Sequence, residues 1–169
     1  MTKLFELNGQ IEYNKLVSTL CENEERNEKI LKQIMECHKE GRKQAVLSMR
    51  VEHCEQFVNK LNSIGIKAVL CVGKTKDKER EDILNERIDW DVIVSTYALF
   101  KEGISIKSLD TMHLTIPIND KSTTVQCAGR IERYMENKKQ PIVYDYVDTD
   151  IEFCKKKYTN RRRSLKSRF

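Results

Sequence analysis

The residues best equipped for chemistry in this chain are Gln126, Arg130 and Arg133, set in the run Gln126-Cys-Ala-Gly129-Arg130-Ile-Glu-Arg133. A helix over 122–134 places the three at i, i+4 and i+7, on one face. Thr124, Cys127, Ala128 and Ile131 then form the opposite face, which can pack. One or two arginines on a packed helix are what a nucleotide enzyme borrows from a neighbouring domain to neutralise phosphate charge. Gly129 borders the polar stripe. A mid-helix Gly costs roughly 1 kcal/mol relative to Ala. A merely solvated face leaves that cost unexplained, whereas close approach of another surface to the backbone accounts for it.

Other candidate chemistry is thinner. Gly73-Lys74-Thr75 has the ending of a phosphate-binding loop, but the full pattern needs a Gly five residues earlier, and that position is Ala68. Two readings of Gly73–Thr75 stay open: a polar loop whose amides or Lys74 touch a nucleic-acid phosphate, and a plain turn. No Asp-Glu dipeptide occurs, so no carboxylate pair stands ready to hold magnesium beside a water-activating acid. Neither a Ser-His-Asp set nor a Cys-His pair can be argued from position. On its own the chain lacks the means to hydrolyse a nucleotide. The six cysteines form no CxxC pair, and His38, His53 and His113 have no second ligand at helical spacing. The expectation is buried free thiols in a reducing compartment and no metal site.

Several elements must position these residues. Helices are predicted over 11–20, 23–40 (stopped by Gly41), 51–62 (closed by Gly65), 77–88 with Ile83, Leu84 and Ile88 inward, and 122–134. Strands are predicted at 44–49, 67–72, 91–95, 111–116 and 142–147, with a loop at 100–105. Five short β-rich runs alternating with helices predict an α/β fold. Its form is a Rossmann-like or RecA-like three-layer sandwich around a mainly parallel sheet. Ligands on such sheets gather beyond the carboxyl ends of the strands. Arg50, Gly73-Lys74-Thr75, Ser95-Thr96 and the 100–105 loop would converge there.

A length of 169 residues fits one domain with a sizeable core. The organisation expected is N-terminal helices over 1–43, the α/β domain over 44–149 and a basic, helical segment over 150–169. The net charge of +5 is uneven: residues 155–169 hold eight Lys/Arg and no acid, leaving 23 basic against 26 acidic residues elsewhere. A basic tail suggests a phosphate partner. With no apolar run near 18 residues and no signal peptide, the location expected is cytoplasmic and nucleoid-associated. For a eukaryotic or viral source it would be nuclear or in a virus factory.

Taken in order, the residues resemble a known family. A strand leads into Arg50-x-Glu52-His53. Then come Gly73-Lys-Thr-x-x-x-x-Arg80, Ser95-Thr96 with Glu102-Gly103-Ile104-Ser105-Ile106, and Gln126-x-x-Gly129-Arg130-x-x-Arg133. This is similar to motifs IV, V and VI of the second RecA-like domain of superfamily 2 helicases, most of all the phage UvsW-type and related bacterial and viral branch. The resemblance covers about residues 44–147, and motif VI is its most specific part. It implies that Arg130 and Arg133 are arginine fingers for ATP. That ATP, with Mg2+, would be held mainly by a first RecA-like domain supplied in cis or trans. Gln126 would line the same cleft, with Gly103 and Ser105 at the nucleotide; many family members carry Asp at the Ser105 position. Arg50, Gly73, Lys74, Thr75, Ser95 and Thr96 would contact the sugar-phosphate backbone of a tracked strand, DNA before RNA. A monomer with no membrane contact is expected. The Walker A loop and DExx box are missing, so the chain reads as an isolated second half or a stand-alone remnant. The alternative is a non-catalytic nucleic-acid-binding or adaptor module that kept the fold without the ATPase half.

Overall fold

The structure is a computed structural model describing residues 6–7, 10–118, 120–166 and 168. A short antiparallel ribbon, β1 (Glu6–Leu7) and β2 (Gln10–Ile11), precedes helices α1 (Tyr13–Glu22) and α2 (Glu24–Lys39). There follow β3 (Gln44–Ser48), α3 (Val51–Ser63), β4 (Ala68–Cys71), α4 (Asp77–Leu84), β5 (Val92–Thr96) and α5 (Tyr97–Gly103). The chain continues through β6 (Thr111–Leu114), α6 (Lys121–Ile131), β7 (Ile142–Asp145) and α7 (Glu152–Leu165).

The five strands β3 to β7 form one parallel sheet in the order β4-β5-β3-β6-β7. Central β3 is buried along its whole length, while edge strand β7 is half-buried throughout. Side chains alternate across the pleat. Ala45, Leu47 and Ile93 face a core made with α1, α4, α5, α6 and α7. Val46, Val92 and Val94 face a second core made with α2 and α3. These are the three layers predicted. The flanking helices are part of them: Leu16, Val17 and Leu20 of α1 and Cys154 and Leu165 of α7 lie in the first core.

Local signals set the helix ends. Asn23 caps α2 by accepting from the Arg26 N–H, and Asp120 caps α6 by accepting from the Ser122 and Thr123 N–H groups. Gly41 and Gly65 stop α2 and α3 at φ of +71° and +85°, a left-handed conformation that suits glycine. Among the described residues no helix is long and apolar enough to cross a membrane.

Three expectations need correction. The helix expected over 77–88 ends at Leu84, where Asn85 and the left-handed Glu86 turn the chain out, so Ile88 is 41% exposed instead of inward. The 100–105 loop is largely α5, because Tyr97 and Phe100 bury one turn apart. The 122–134 helix ends at Ile131: the Lys138 ammonium donates to the Ile131 carbonyl at 2.8 Å and to the Arg133 carbonyl, taking over the helix terminus. The basic segment is helical over Glu152–Leu165 as expected, and one side of it is buried. Arg161 is 3% exposed and paired with Asp145, with both N···O distances 2.7 Å.

Candidate functional site

Two groups of predicted residues come together. The first lies where α5 and α6 pack. Gln126 is exposed on α6, and its amide turns back to the Ser122 hydroxyl at 2.9 Å. One turn on, half-buried Arg130 donates from Nη2 to the Lys101 carbonyl on α5 at 2.5 Å. Arg133 lies beyond the helix, exposed, and donates to the Ser105 hydroxyl just after α5. Gly103 ends α5, and a Cβ there would meet only Leu99, at 3.5 Å. A surface does approach Gly129, and it belongs to the same chain. The Arg168 guanidinium lies 3.7 Å from where a Cβ would sit, held by Glu132 at 2.5 Å.

The second group lies at the carboxyl edge of the sheet, where register sets Ser48 beside Thr96. Half-buried Arg50 opens α3 there and reaches Asn14 of α1 at 3.5 Å. A concavity of about 250 Å3 adjoins, lined by Met49, Thr96, Tyr97, Lys101, Asp120 and Tyr13 among others. Gly73 is exposed, with nothing within 4 Å of its Cβ direction, and Lys74 is exposed beside Glu55. Thr75 spends its hydroxyl inside the turn, accepting from the Val72 N–H at 2.9 Å and donating to the Leu70 carbonyl. Ser95 is fully buried. Of the Ser95-Thr96 pair, only Thr96 can therefore meet a ligand without rearrangement of the strand.

Beneath Arg50 lies a relay that the spacing of residues did not announce. Asn27 donates its amide to the Cys21 carbonyl at 2.8 Å, which leaves its oxygen to accept from His53 Nε2 at 2.9 Å. His53 Nδ1 must then accept, from the Ser48 hydroxyl at 2.8 Å, and the Ser48 oxygen accepts from the Arg50 N–H. The neutral tautomer is thus fixed by its partners. Burial pushes the His53 pKa down to about 4, with the Arg26 charge adding to the effect. Ser48 and His53 are closed to solvent, so this Ser-His-Asn arrangement holds the β3–α3 turn and is no nucleophile. Lys138 is a second feature outside the predicted set. It gathers the carbonyls of Ile131, Arg133 and Lys107, and so ties the segment bearing Arg133 to the segment after Ser105. Its signal in the sequence is one lysine in a polar run.

Charge compensation separates the arginines. Arg26, Arg42, Arg87, Arg161 and Arg168 each face a carboxylate. Among the described residues Arg130 and Arg133 face only a carbonyl and a hydroxyl, and Arg50 only an amide oxygen. Arg80 clasps the carbonyls of Val72, Gly73 and Thr75. Neutral acceptors orient a guanidinium and leave its charge uncancelled, ready for an anionic oxygen. All six cysteines are free and buried, and burial lifts the Cys54, Cys127 and Cys154 thiols to about 12, so none is a poised nucleophile.

Known proteins resemble this chain in sequence and fold. The model of the helicase conserved C-terminal domain matches residues 25–135. A probable helicase of Escherichia phage T5 is 29% identical over 109 residues, 63% of this chain and 24% of that protein. A putative ATP-dependent RNA helicase of Acanthamoeba polyphaga mimivirus is 29% identical over 148 residues, 88% of this chain and 28% of that protein. The chain therefore spans about a quarter of the length of these curated relatives. Among solved structures, phage T4 UvsW superposes with a TM-score of 0.72 at 15% identity, over 95% of this chain and 36% of that one. The S. cerevisiae Dbp5 structure bound to RNA and ADP BeF3 gives 0.64 at 15% identity, over 80% and 36%. At such identities these superpositions speak for the fold. The family match covers well over half of the chain, including the β3–α3 turn, α5 and α6. This protein belongs to the helicase conserved C-terminal domain family.

Proposed function

We propose that this chain is the second RecA-like half of an ATP-dependent superfamily 2 nucleic-acid helicase or translocase. The observation that carries the reading is the uncancelled charge of Arg130 and Arg133, both held against the segment running from α5 to Ser105. ATP with magnesium would be held chiefly by a first RecA-like domain, and this chain's part would be to neutralise the negative charge of the γ-phosphate. Arg130 and Arg133 fit that role by donor type and by having no carboxylate partner among the described residues. Their charge counts most where it meets charge that develops in the transition state. Lys101 O and Ser105 Oγ orient the two guanidiniums. Gln126 and Gly103 border the same surface. On the carboxyl edge, Arg50, Gly73, Lys74 and Thr96 offer charge and open backbone to a sugar-phosphate chain, which implies backbone-directed binding with little sequence preference.

A non-catalytic nucleic-acid-binding module is the second reading, and it shares the carboxyl-edge surface. Turnover in the complete two-domain enzyme separates the two. Arg133→Ala should lower nucleic-acid-stimulated ATP hydrolysis steeply, with about 10³–10⁵-fold as the upper range for arginine fingers. ATP affinity should weaken only modestly. Wild-type turnover in that variant would remove the finger assignment.

A further inference from the structure

Six of the eight basic residues of 155–169, five on α7 and Lys166 at its C-cap, have no carboxylate partner among the described residues; Arg161 and Arg168 are the two that pair. Lys157 sits over the Phe153 ring at 5.2 Å. The other five share one side of the helix. Lys155, Arg162 and Lys166 stand at i, i+7 and i+11 in a single row, with Lys156 and Arg163 flanking it, and all five are exposed. The opposite side carries Cys154, Arg161 and Leu165 into the protein. This face thus presents five positive charges against one acid, Glu152 in the first turn, and no exposed apolar residue. Beside it a groove of about 560 Å3 runs between α7 and β7, lined by Tyr158, Arg162, Arg163, Lys166 and Val143 among others.

We infer that the exposed face of α7 binds the phosphate backbone of double-stranded nucleic acid, separately from the strand track at the carboxyl edge of the sheet. The inference rests on the nucleic-acid reading above and adds a second surface and a second form of the ligand. Its chemistry discriminates among anionic partners. An in-plane membrane helix needs an apolar face, which α7 spends on its own core. A single-strand site needs exposed aromatic platforms for bases; among the described residues the five-charge face carries none, and Tyr158 beside it is partly buried. A protein partner would look for buried anchors at the centre of a patch, and this patch is charge alone. From Lys155 to Lys166 the row spans about 16 Å, the axial length of roughly five base pairs. The start of α7 adjoins the track: Phe153 packs on Tyr13 at 6.1 Å, and the next residue, Asn14, receives Arg50. Duplex flanking the tracked strand would therefore meet α7.

The test is a salt series of binding isotherms for the whole protein on a blunt duplex and on a single strand of equal length. The variant K155Q/K156Q/R162Q/R163Q/K166Q keeps Arg161 and Arg168, so its melting temperature should hold. It should flatten the slope of log K against log[salt] on duplex by roughly 3–4, at about 0.9 per lost phosphate contact. Single-strand binding should be unchanged. R50Q/K74Q should show the reverse pattern. If the fivefold variant melts early, K155Q/K156Q and R162Q/R163Q are compared separately, each expected to carry about two-fifths of the slope change. An unchanged duplex slope overturns the inference, as does equal displacement of duplex by polyglutamate or by phosphatidylserine vesicles at matched charge. Absence of wild-type binding to either nucleic acid would instead sink the nucleic-acid reading itself.

Discussion

Arg130 and Arg133 are held differently, and this predicts different costs for the same substitution. The Arg130 guanidinium is half-buried on α6 and donates to the Lys101 carbonyl, tying α6 to α5. A hydrogen bond from a charged donor contributes about 1.5–3 kcal/mol at best, less where water reaches it. Arg130→Ala should therefore lose turnover and roughly 1 kcal/mol of stability. Arg133 stands on an irregular segment in solvent, so Arg133→Ala should lose turnover with stability unchanged within about 0.5 kcal/mol. Turnover beside thermal melts of the two variants checks both expectations. A collapsed melting temperature for Arg130→Ala would make that residue structural. The spacing of Gln126, Gly129 and Arg130 made this surface legible from the sequence. The exit of Arg133 from the helix was not, because Lys138, which takes the terminal carbonyls, lies in a polar run with no periodicity. Thr75 and Ser95 show a related limit. Residue type cannot reveal that one hydroxyl closes its own turn and the other faces the core.

At the scale of elements, two buried histidines stitch the layers together. His53 links β3, α3 and α2. His113 accepts at Nδ1 from the Tyr146 hydroxyl and donates from Nε2 to Gln44, whose amide donates to the Ile34 carbonyl. Burial depresses both pKa values, to about 4 for His53 and about 3 for His113. The ordinary histidine value of 6.5 applies once the chain unfolds, so below it the unfolded state binds protons that the folded state refuses. Stability is therefore full above about pH 6.5 and falls as pH drops toward 4, each histidine adding a slope of up to about 1.4 kcal/mol per pH unit. Asp120 and Glu25 have lowered pKa values, so their losses come at lower pH and leave this window to the histidines. Urea unfolding at pH 7, 6 and 5 measures it, with His53→Gln expected to remove about half of the slope. A flat profile would mean that the rings are protonated in place. The strands were legible because a parallel strand buried on both faces needs an unbroken apolar run, and Ala, Val, Leu and Ile supply it in β3 and β5. Helix α5 was not, since seven residues holding Gly103 show too little periodicity to stand apart from a loop.

For the whole molecule, α7 is part of the frame. The Arg161–Asp145 pair is nearly closed to solvent, and Arg161 also donates to the Ile118 carbonyl. Removing one partner of such a pair strands the other, at a cost of about 3–5 kcal/mol. Arg161→Ala should therefore lower the melting temperature by many degrees, whereas Arg162→Ala, one residue on and exposed, should leave it within a degree or two. Equal melts would show that the pair contributes nothing to folding. Deleting 155–169 would confound loss of a binding surface with loss of this joint. The basic composition of the tail was plain in the sequence. Its division of labour was not, because Asp145 and Glu132 reach Arg161 and Arg168 from other elements.

The six buried thiols are spread one to an element: Cys21 in α1, Cys37 in α2, Cys54 in α3, Cys71 in β4, Cys127 in α6 and Cys154 in α7. The protein thus carries its own set of clocks. A thiol reagent cannot reach any of them until the surrounding element opens, so the labelling rate at each cysteine reports the free energy of that local opening. Read site by site by mass spectrometry, Cys127 should slow when α6 is clamped by a partner domain and Cys154 when α7 is clamped by duplex. Cys37 and Cys54, on the far layer, should keep their pace in both cases.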